Sequence, residues 1–478
     1  IAANVNEGFV PVRVDVDRHP RVRERYNMGG FPTTAFLAPD GTLLTGAGYL
    51  DVDGMRQVLE SVREMWADKG RDAGRVPRAL DADLPPRGEL TDEIASHLAG
   101  QLEVKYDAEH AGWGTDAKFP LPRTVEFALK RDRNRALRTL DAVRDHLTDD
   151  VDGGFFRYAG TRDWGDVAYE KPLDTNAAVT RAFANAFLYT GDEAYLDPAL
   201  DAVGFLTGDL WTGYGVGGSL GPGLGRAYYA APAADALLAV AAYTDDEGAR
   251  EYADRILDGL ERDLIDTESG AVTHYRGSDD AGETDLLEDA ARVVGAYVRA
   301  AGVRGEGVDV ARAVADRAID RLHVDGSFVD GPRSGPGLLD RSFRPLDANV
   351  EMATALLDLA ALTGEDRYRE VARKTAEAFA GATERLGVQV AAYGSLVGRL
   401  RRDATVIAVG TAPGSDLHRA AWRVADHEKV VAPNAHEADA PAPRTVPEGA
   451  AVVLAGDGAS APAETPAELM DRVGDALS

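Results

Sequence analysis

The chain of 478 residues contains no cysteine. Disulfides, thiolate metal sites and dithiol exchange are excluded for these residues, because each needs a thiolate. Lysine is nearly as scarce. Only seven are present, at 69, 105, 118, 130, 171, 374 and 429, so 45 of the 52 basic residues are arginine. Positive charge as a whole is short: 80 acidic residues leave a net charge of −28. That balance argues against nucleic acid and anionic membrane surfaces as partners. No apolar run approaches the ~18 residues of a membrane span, so no membrane partner is expected. The nine histidines show no metal-ligand spacing, and the glycine-rich run Gly215 to Gly225 lacks the Lys-Ser/Thr of a phosphate loop. Neither a metal nor a cofactor is expected. An acidic surface, few lysines and no cysteine together point to adaptation to high salt, where screening removes most carboxylate self-repulsion. A cytoplasmic location is expected.

What is present divides into three regions. Phe9 to Val16 alternates apolar and polar residues as a strand does, and a helix-like run from His19 to Tyr26 follows. Gly29-Gly30-Phe31-Pro32-Thr33-Thr34 then leads into a second strand, Thr34 to Ala38, closed by a Pro39-Asp40-Gly41 turn. This is the order of a thioredoxin-like fold, in which Pro32 is the candidate structural cis-proline. The chain opens at Ile1, without Met, on what reads as the last turns of a helix. A truncated start is expected, and whether a Cys-x-x-Cys lies upstream stays open. The expected boundaries are a partial thioredoxin-like domain over 1–66, a Gly/Pro-rich linker over 67–90, a helical region over 91–392 and a small α/β segment over 393–478. In the last, Ala404 to Gly410, Val430 to Ala432 and Ala450 to Gly456 are short apolar runs suited to buried strands.

The helical region repeats itself. An apolar helix ends at Thr190-Gly191-Asp192, Thr244-Asp245-Asp246 or Thr363-Gly364-Glu365, acidic residues open the next helix, and a Tyr packs one turn in. Gly stops helices and acidic residues favour helix N-termini. Each unit is thus a helical hairpin that must stack on its neighbours to bury its face. The opposite ends carry long Gly-aromatic loops, such as Ala111-Gly112-Trp113-Gly114 and Gly153-Gly154-Phe155-Phe156. Tight turns at one end and long loops at the other describe a mainly α fold, an (α/α)6 six-hairpin toroid whose functional mouth is formed by the long loops.

These motifs, with Gly112 to Pro120, Gly153 to Tyr158, Tyr169-Glu170-Lys171, Leu287-Glu288-Asp289-Ala290-Ala291 and Asp347-Ala348-Asn349 in that order, resemble the spermatogenesis-associated protein 20 group of thioredoxin-domain proteins. The resemblance implies a thioredoxin-like domain, a six-hairpin barrel of the glycosidase and sugar-epimerase type and a small C-terminal α/β piece. This chain has Phe156 and Ala168 where the family usually has His.

Three loop-to-helix entries hold the candidate site. Glu170, Glu288 and Asp347 are the candidate catalytic carboxylates, since sugar chemistry commonly uses one protonated and one charged carboxyl. Trp113, Lys118, Arg157, Tyr158, Lys171, Asp174 and Asn349 are the candidate ligand-binding residues, with Lys118 as an expected ion-pair partner of Glu170. For Asp174 and Asp347 helix capping is the competing role. The expected ligand is a small polar molecule or sugar. The other readings left open are a redox or protein-quality partner and a non-catalytic scaffold.

Overall fold

The computed structural model describes residues 1–478 except 31, 78–79, 81–84, 212–226, 278, 403, 438–441, 457 and 478, and only the backbone of 227–229 and 477. The Gly215–Gly225 run and the Phe31–Pro32 peptide, expected to be cis, lie outside the described residues.

Residues 1–77 form a small unit: helices α1 (Ala2–Gly8), α2 (Pro20–Tyr26) and α3 (Val52–Lys69), and the hairpin β1 (Thr34–Leu37) and β2 (Leu43–Ala47). The hairpin turns where Asp40 accepts hydrogen bonds from the Thr42 amide and hydroxyl. Ala38, Leu44 and Val62 form its core. Phe9 to Val16, expected as a strand, forms no strand pairing among the described residues. Val10 and Val12 are 89% and 78% exposed. Alternation alone does not make a strand; a partner must take its hydrogen bonds, and Pro11 offers no N–H.

Twelve helices among the described residues build the barrel. The inner ring is α5 (Pro122–Arg131), α7 (Leu173–Thr190), α9 (Ala227–Thr244), α11 (Leu287–Arg304), α13 (Leu346–Thr363) and α15 (Ala392–Arg402). Each packs on the next, and α15 returns to α5. The outer helices α6 (Arg133–Leu147), α8 (Glu193–Thr207), α10 (Glu247–Asp263), α12 (Val308–Leu322) and α14 (Asp366–Ala380) each back the inner helix before them, while α4 (Asp92–Val104) backs α15. The ring therefore closes ten residues beyond the expected boundary at 392. Inner helices are buried on nearly all sides, which is why Ala230 to Ala242 is almost continuously small and apolar.

The tight turns share one device. Thr190, Thr244 and Thr363 each donate a hydroxyl hydrogen bond to the carbonyl four residues back. Each hydroxyl also accepts from the amide two residues on. Gly191 and Gly364 take the left-handed conformation at φ 66° and 74°, which ends the helix at little steric cost. Asp245 stands at the same place with φ 63°, a conformation Asp tolerates better than most residues. The Thr supplies the repeat; the Gly only eases it.

Beyond the ring, a four-stranded sheet runs in the order β4 (Val430–Ala432), β3 (Val406–Val409), β5 (Ala451–Ala455), β6 (Gly458–Ala459). Strands β3 and β4 are parallel, with Val406 opposite Val430, and β3 and β5 are antiparallel. The helices α16 (Asp416–Trp422) and α17 (Pro466–Leu477) cover it. Its valines join the barrel's core, so this segment closes the tight-turn end of the ring.

Candidate functional site

The long-loop end is held by two buried asparagines. Asn176 accepts from the Phe155 amide and donates to the Phe155 and Pro172 carbonyls. Asn349 does the same with Phe328 and Pro345. Both are 0% exposed. Asn349, expected to bind ligand, instead ties a rim hairpin to an inner helix.

The loop lysines are also committed to structure. Lys118 is 0% exposed; its ammonium donates to Asp107 at 3.0 Å and to the Ala111 and Gly114 carbonyls. It does not meet Glu170, contrary to expectation, because Asp107 and two carbonyls hold its ammonium while Glu170 pairs with Arg157. Arg162 also binds Asp107 and holds its carboxyl well below the usual carboxylate range. Lys171 pairs with Asp149 at 2.7 Å and the Gly153 carbonyl. Trp113 is core, its indole N–H donating to Leu102. Glu170 is on the outer surface, paired with Arg157 at 2.8 Å. Tyr158 stacks on Phe119 at 4.9 Å. Asp174 accepts from the neighbouring Thr175 amide rather than capping its helix.

None of these lines the barrel's cavity. That cavity, about 470 Å³, lies inside the inner ring, and Glu288 and Asp347 do line it. A second space of about 180 Å³ shares both carboxylates and is bounded on its other side by α2. The N-terminal unit thus sits at the barrel mouth. It is fixed there by buried guanidinium groups: Arg25 binds both oxygens of Asp330, at 2.6 and 3.2 Å, and Arg21 reaches Asp330 and Glu283.

Down the cavity wall, ion pairs link the inner helices to one another. Arg292 bridges Glu288 at 2.9 Å and Glu351 at 3.2 Å, and Arg123 joins Glu351 at 3.0 Å. Deeper, Arg181 binds Glu126 at 2.7 Å and Asp235 at 2.5 Å, and Arg299 binds Asp235. Asn185 donates to Glu126, and Tyr243 donates to Asn185. At the floor Lys130 pairs with Asp426 and Glu428.

The carboxyls respond in opposite directions. Burial raises the pKa of Glu288, against the opposing charge of Arg292. Burial, with Glu351 beside it, also raises Asp347. Burial opposes ionisation of Glu351 too, but Arg292 and Arg123 outweigh it and its pKa falls. Carboxyls whose pKa values are pushed in opposite directions at one cavity are the arrangement acid–base chemistry needs. Glu351, Glu126, Arg181, Asp235, Arg292 and Arg299 were not singled out in the sequence. A signal was there: Arg181 with Asn185, and Asp235, are isolated polar residues inside the apolar stretches Ala177 to Phe187 and Ala230 to Ala242.

Residues 1–82 match the family model Thioredox_DsbH, described as "Protein of unknown function, DUF255". Human spermatogenesis-associated protein 20 is 30% identical over 239 residues, covering 41% of this chain and 30% of the human protein. The rat protein is 28% identical over 250 residues, covering 43% and 31%. The chain aligns with about 30% of the length of these curated relatives. Among solved structures, a sugar epimerase from a ruminal bacterium superposes with a TM-score of 0.53 at 12% identity, over 60% of this chain and 84% of its own. A family 76 α-mannanase of Bacteroides thetaiotaomicron gives 0.51 at 11% identity, over 64% and 94%. At such identity the likeness is one of fold, the six-hairpin (α/α)6 barrel. Over part of its length the chain is similar to spermatogenesis-associated protein 20, and it carries a thioredoxin-like segment ahead of a six-hairpin barrel.

Proposed function

We propose that the barrel cavity binds a small polar ligand of the carbohydrate class, with Glu288 as proton donor and Asp347 as a second titrating carboxyl. One observation carries this: two carboxyls of raised pKa face one cavity beside Glu351, whose pKa is lowered. The paired arginines and carboxylates offer fixed donors and acceptors of the kind hydroxyl groups need. The structural neighbours named for a sugar epimerase and an α-mannanase are consistent with such a ligand. Glu170, Arg157 and Tyr158 belong to the rim and not to this site.

Calorimetry of the full chain with methyl glycosides of glucose and mannose, up to about 10 mM to capture weak binding, tests the reading. Saturable heat that disappears in Glu288→Gln and Asp347→Asn is expected. No heat with any glycoside, or binding unchanged in both variants, overturns it. The acidic surface supports a second property: the protein needs salt. Its melting temperature is expected to fall from molar to millimolar salt as screening is lost, and a flat response refutes this.

A further inference from the structure

The lysines of this chain are not alike. Lys118, Lys130, Lys171 and Lys374 each pair with a carboxylate, at 3.0, 2.7, 2.7 and 3.2 Å. Lys69 and Lys105 are exposed to solvent. Lys429 fits neither class. It is 6% exposed and lines the floor of the barrel cavity. Among the described residues its ammonium forms no ion pair and makes one hydrogen bond, to the Asp426 carbonyl at 3.2 Å. It lies 5.3 Å from the centre of the Tyr243 ring and 5.4 Å from that of Trp422. The neighbouring Asp426 carboxylate is already bound by Lys130.

We propose that Lys429 is a nucleophilic amine that condenses reversibly with the carbonyl carbon of a small aldehyde, such as an open-chain aldose, entering the cavity. This rests on the cavity being the ligand site.

An ammonium has no lone pair to attack with, so the amine must be neutral. Burial favours the neutral form most, the Asp426 carboxylate opposes it, and Arg299 and Lys130 favour it again; the pKa is pushed down to about 7. The nitrogen lone pair attacks the carbonyl carbon, and the two amine hydrogens pass to the carbonyl oxygen. That oxygen leaves as water and a C=N bond remains. Amine plus aldehyde gives imine plus water, with no change of oxidation state.

The wild-type chain is incubated with glycolaldehyde and cyanoborohydride, which reduces the imine to a stable secondary amine, and each lysine is mapped by peptide mass spectrometry. The readout is labelling at Lys429 relative to Lys69 and Lys105, which cancels the pH dependence of the reductant. From pH 7 to pH 9 the neutral fraction of Lys429 rises about twofold, while that of an ordinary exposed lysine rises about a hundredfold. The expected result is preferential labelling of Lys429 at pH 7, with the ratio falling about fiftyfold by pH 9. Labelling of Lys69 and Lys105 without Lys429, or a ratio that does not change with pH, overturns the proposal. The methyl glycosides used to test ligand binding carry no aldehyde. Failure of sugar binding with Lys429 still labelled therefore refutes only the former reading, and the reverse outcome refutes only this one.

Discussion

The rim loops and the lumen helices divide the polar residues of the barrel in opposite ways. On the rim, charge is used to hold backbone. Lys118, Lys171, Asn176 and Asn349 spend their hydrogen bonds on carbonyls, amides and a single carboxylate each or none. In the lumen, charge is shared between helices and stays open to the cavity, as in the Glu288–Arg292–Glu351–Arg123 row. The difference teaches that a scarce residue type in a Gly-aromatic loop marks a loop that needs tying down. Chemistry has to be sought where polar groups interrupt an apolar helix.

The largest test of this contrast is Asp107→Ala. It leaves the fully buried Lys118 ammonium with only carbonyls and no carboxylate. Losing one partner of a buried pair costs about 3–5 kcal/mol. Denaturant unfolding is expected to show a loss of that size. A change below about 1 kcal/mol means Lys118 is not the rim's structural anchor.

Asn176→Ala and Asn349→Ala come next. Each removes the partner of a buried amide and one donor to each of two carbonyls, while Pro172 and Pro345 keep the backbone amides of residues 176 and 349; about 2 kcal/mol is expected. The two sites have the same hydrogen-bond pattern, so the two losses should agree. If one variant is silent, the rim hairpins are not held by a common device.

How far the sequence spoke follows the same divide. The hairpin turns were legible because Thr190, Thr244 and Thr363 act on residues two and four positions away, within one turn of chain. The candidates Glu288 and Asp347 were legible as acidic residues at loop-to-helix entries. The rest of the lumen was not, because its pairs join residues far apart in the chain: Arg181 with Glu126, Arg299 with Asp235, Arg292 with Glu351. Spacing within one helix carries no trace of a partner on the next. The strand expected at Phe9 to Val16 failed for a related reason, since alternation records which face is apolar and not whether a neighbouring strand exists.

Acid–base behaviour sharpens the lumen side. Glu288 binds its proton more tightly in the folded chain than its ordinary pKa of 4.5. As pH rises from 4.5 toward that raised value, the unfolded chain releases the proton first and the folded state is left holding more, so stability falls with pH. Above it the loss is constant. Glu288→Gln has no proton to lose and is expected to flatten that segment of the stability curve. Wild type and variant with the same slope between pH 4.5 and 7 would show that the carboxyl is not desolvated.

The smallest expected effect is the most direct comparison of the two regions. Glu170 and Glu288 are both glutamates at loop-to-helix entries, and the sequence gives no ground for ranking them. Glu170 is 69% exposed and paired with a half-exposed Arg157, a setting in which an ion pair contributes about 0–0.5 kcal/mol. Glu288 faces the cavity. Glu170→Gln should therefore leave both the unfolding midpoint and glycoside binding where they were, while Glu288→Gln removes the binding heat. If Glu170→Gln abolishes binding with the fold intact by circular dichroism, the ligand sits on the rim. The lumen's charges would then be the structural ones, and the division drawn between the two regions would be reversed.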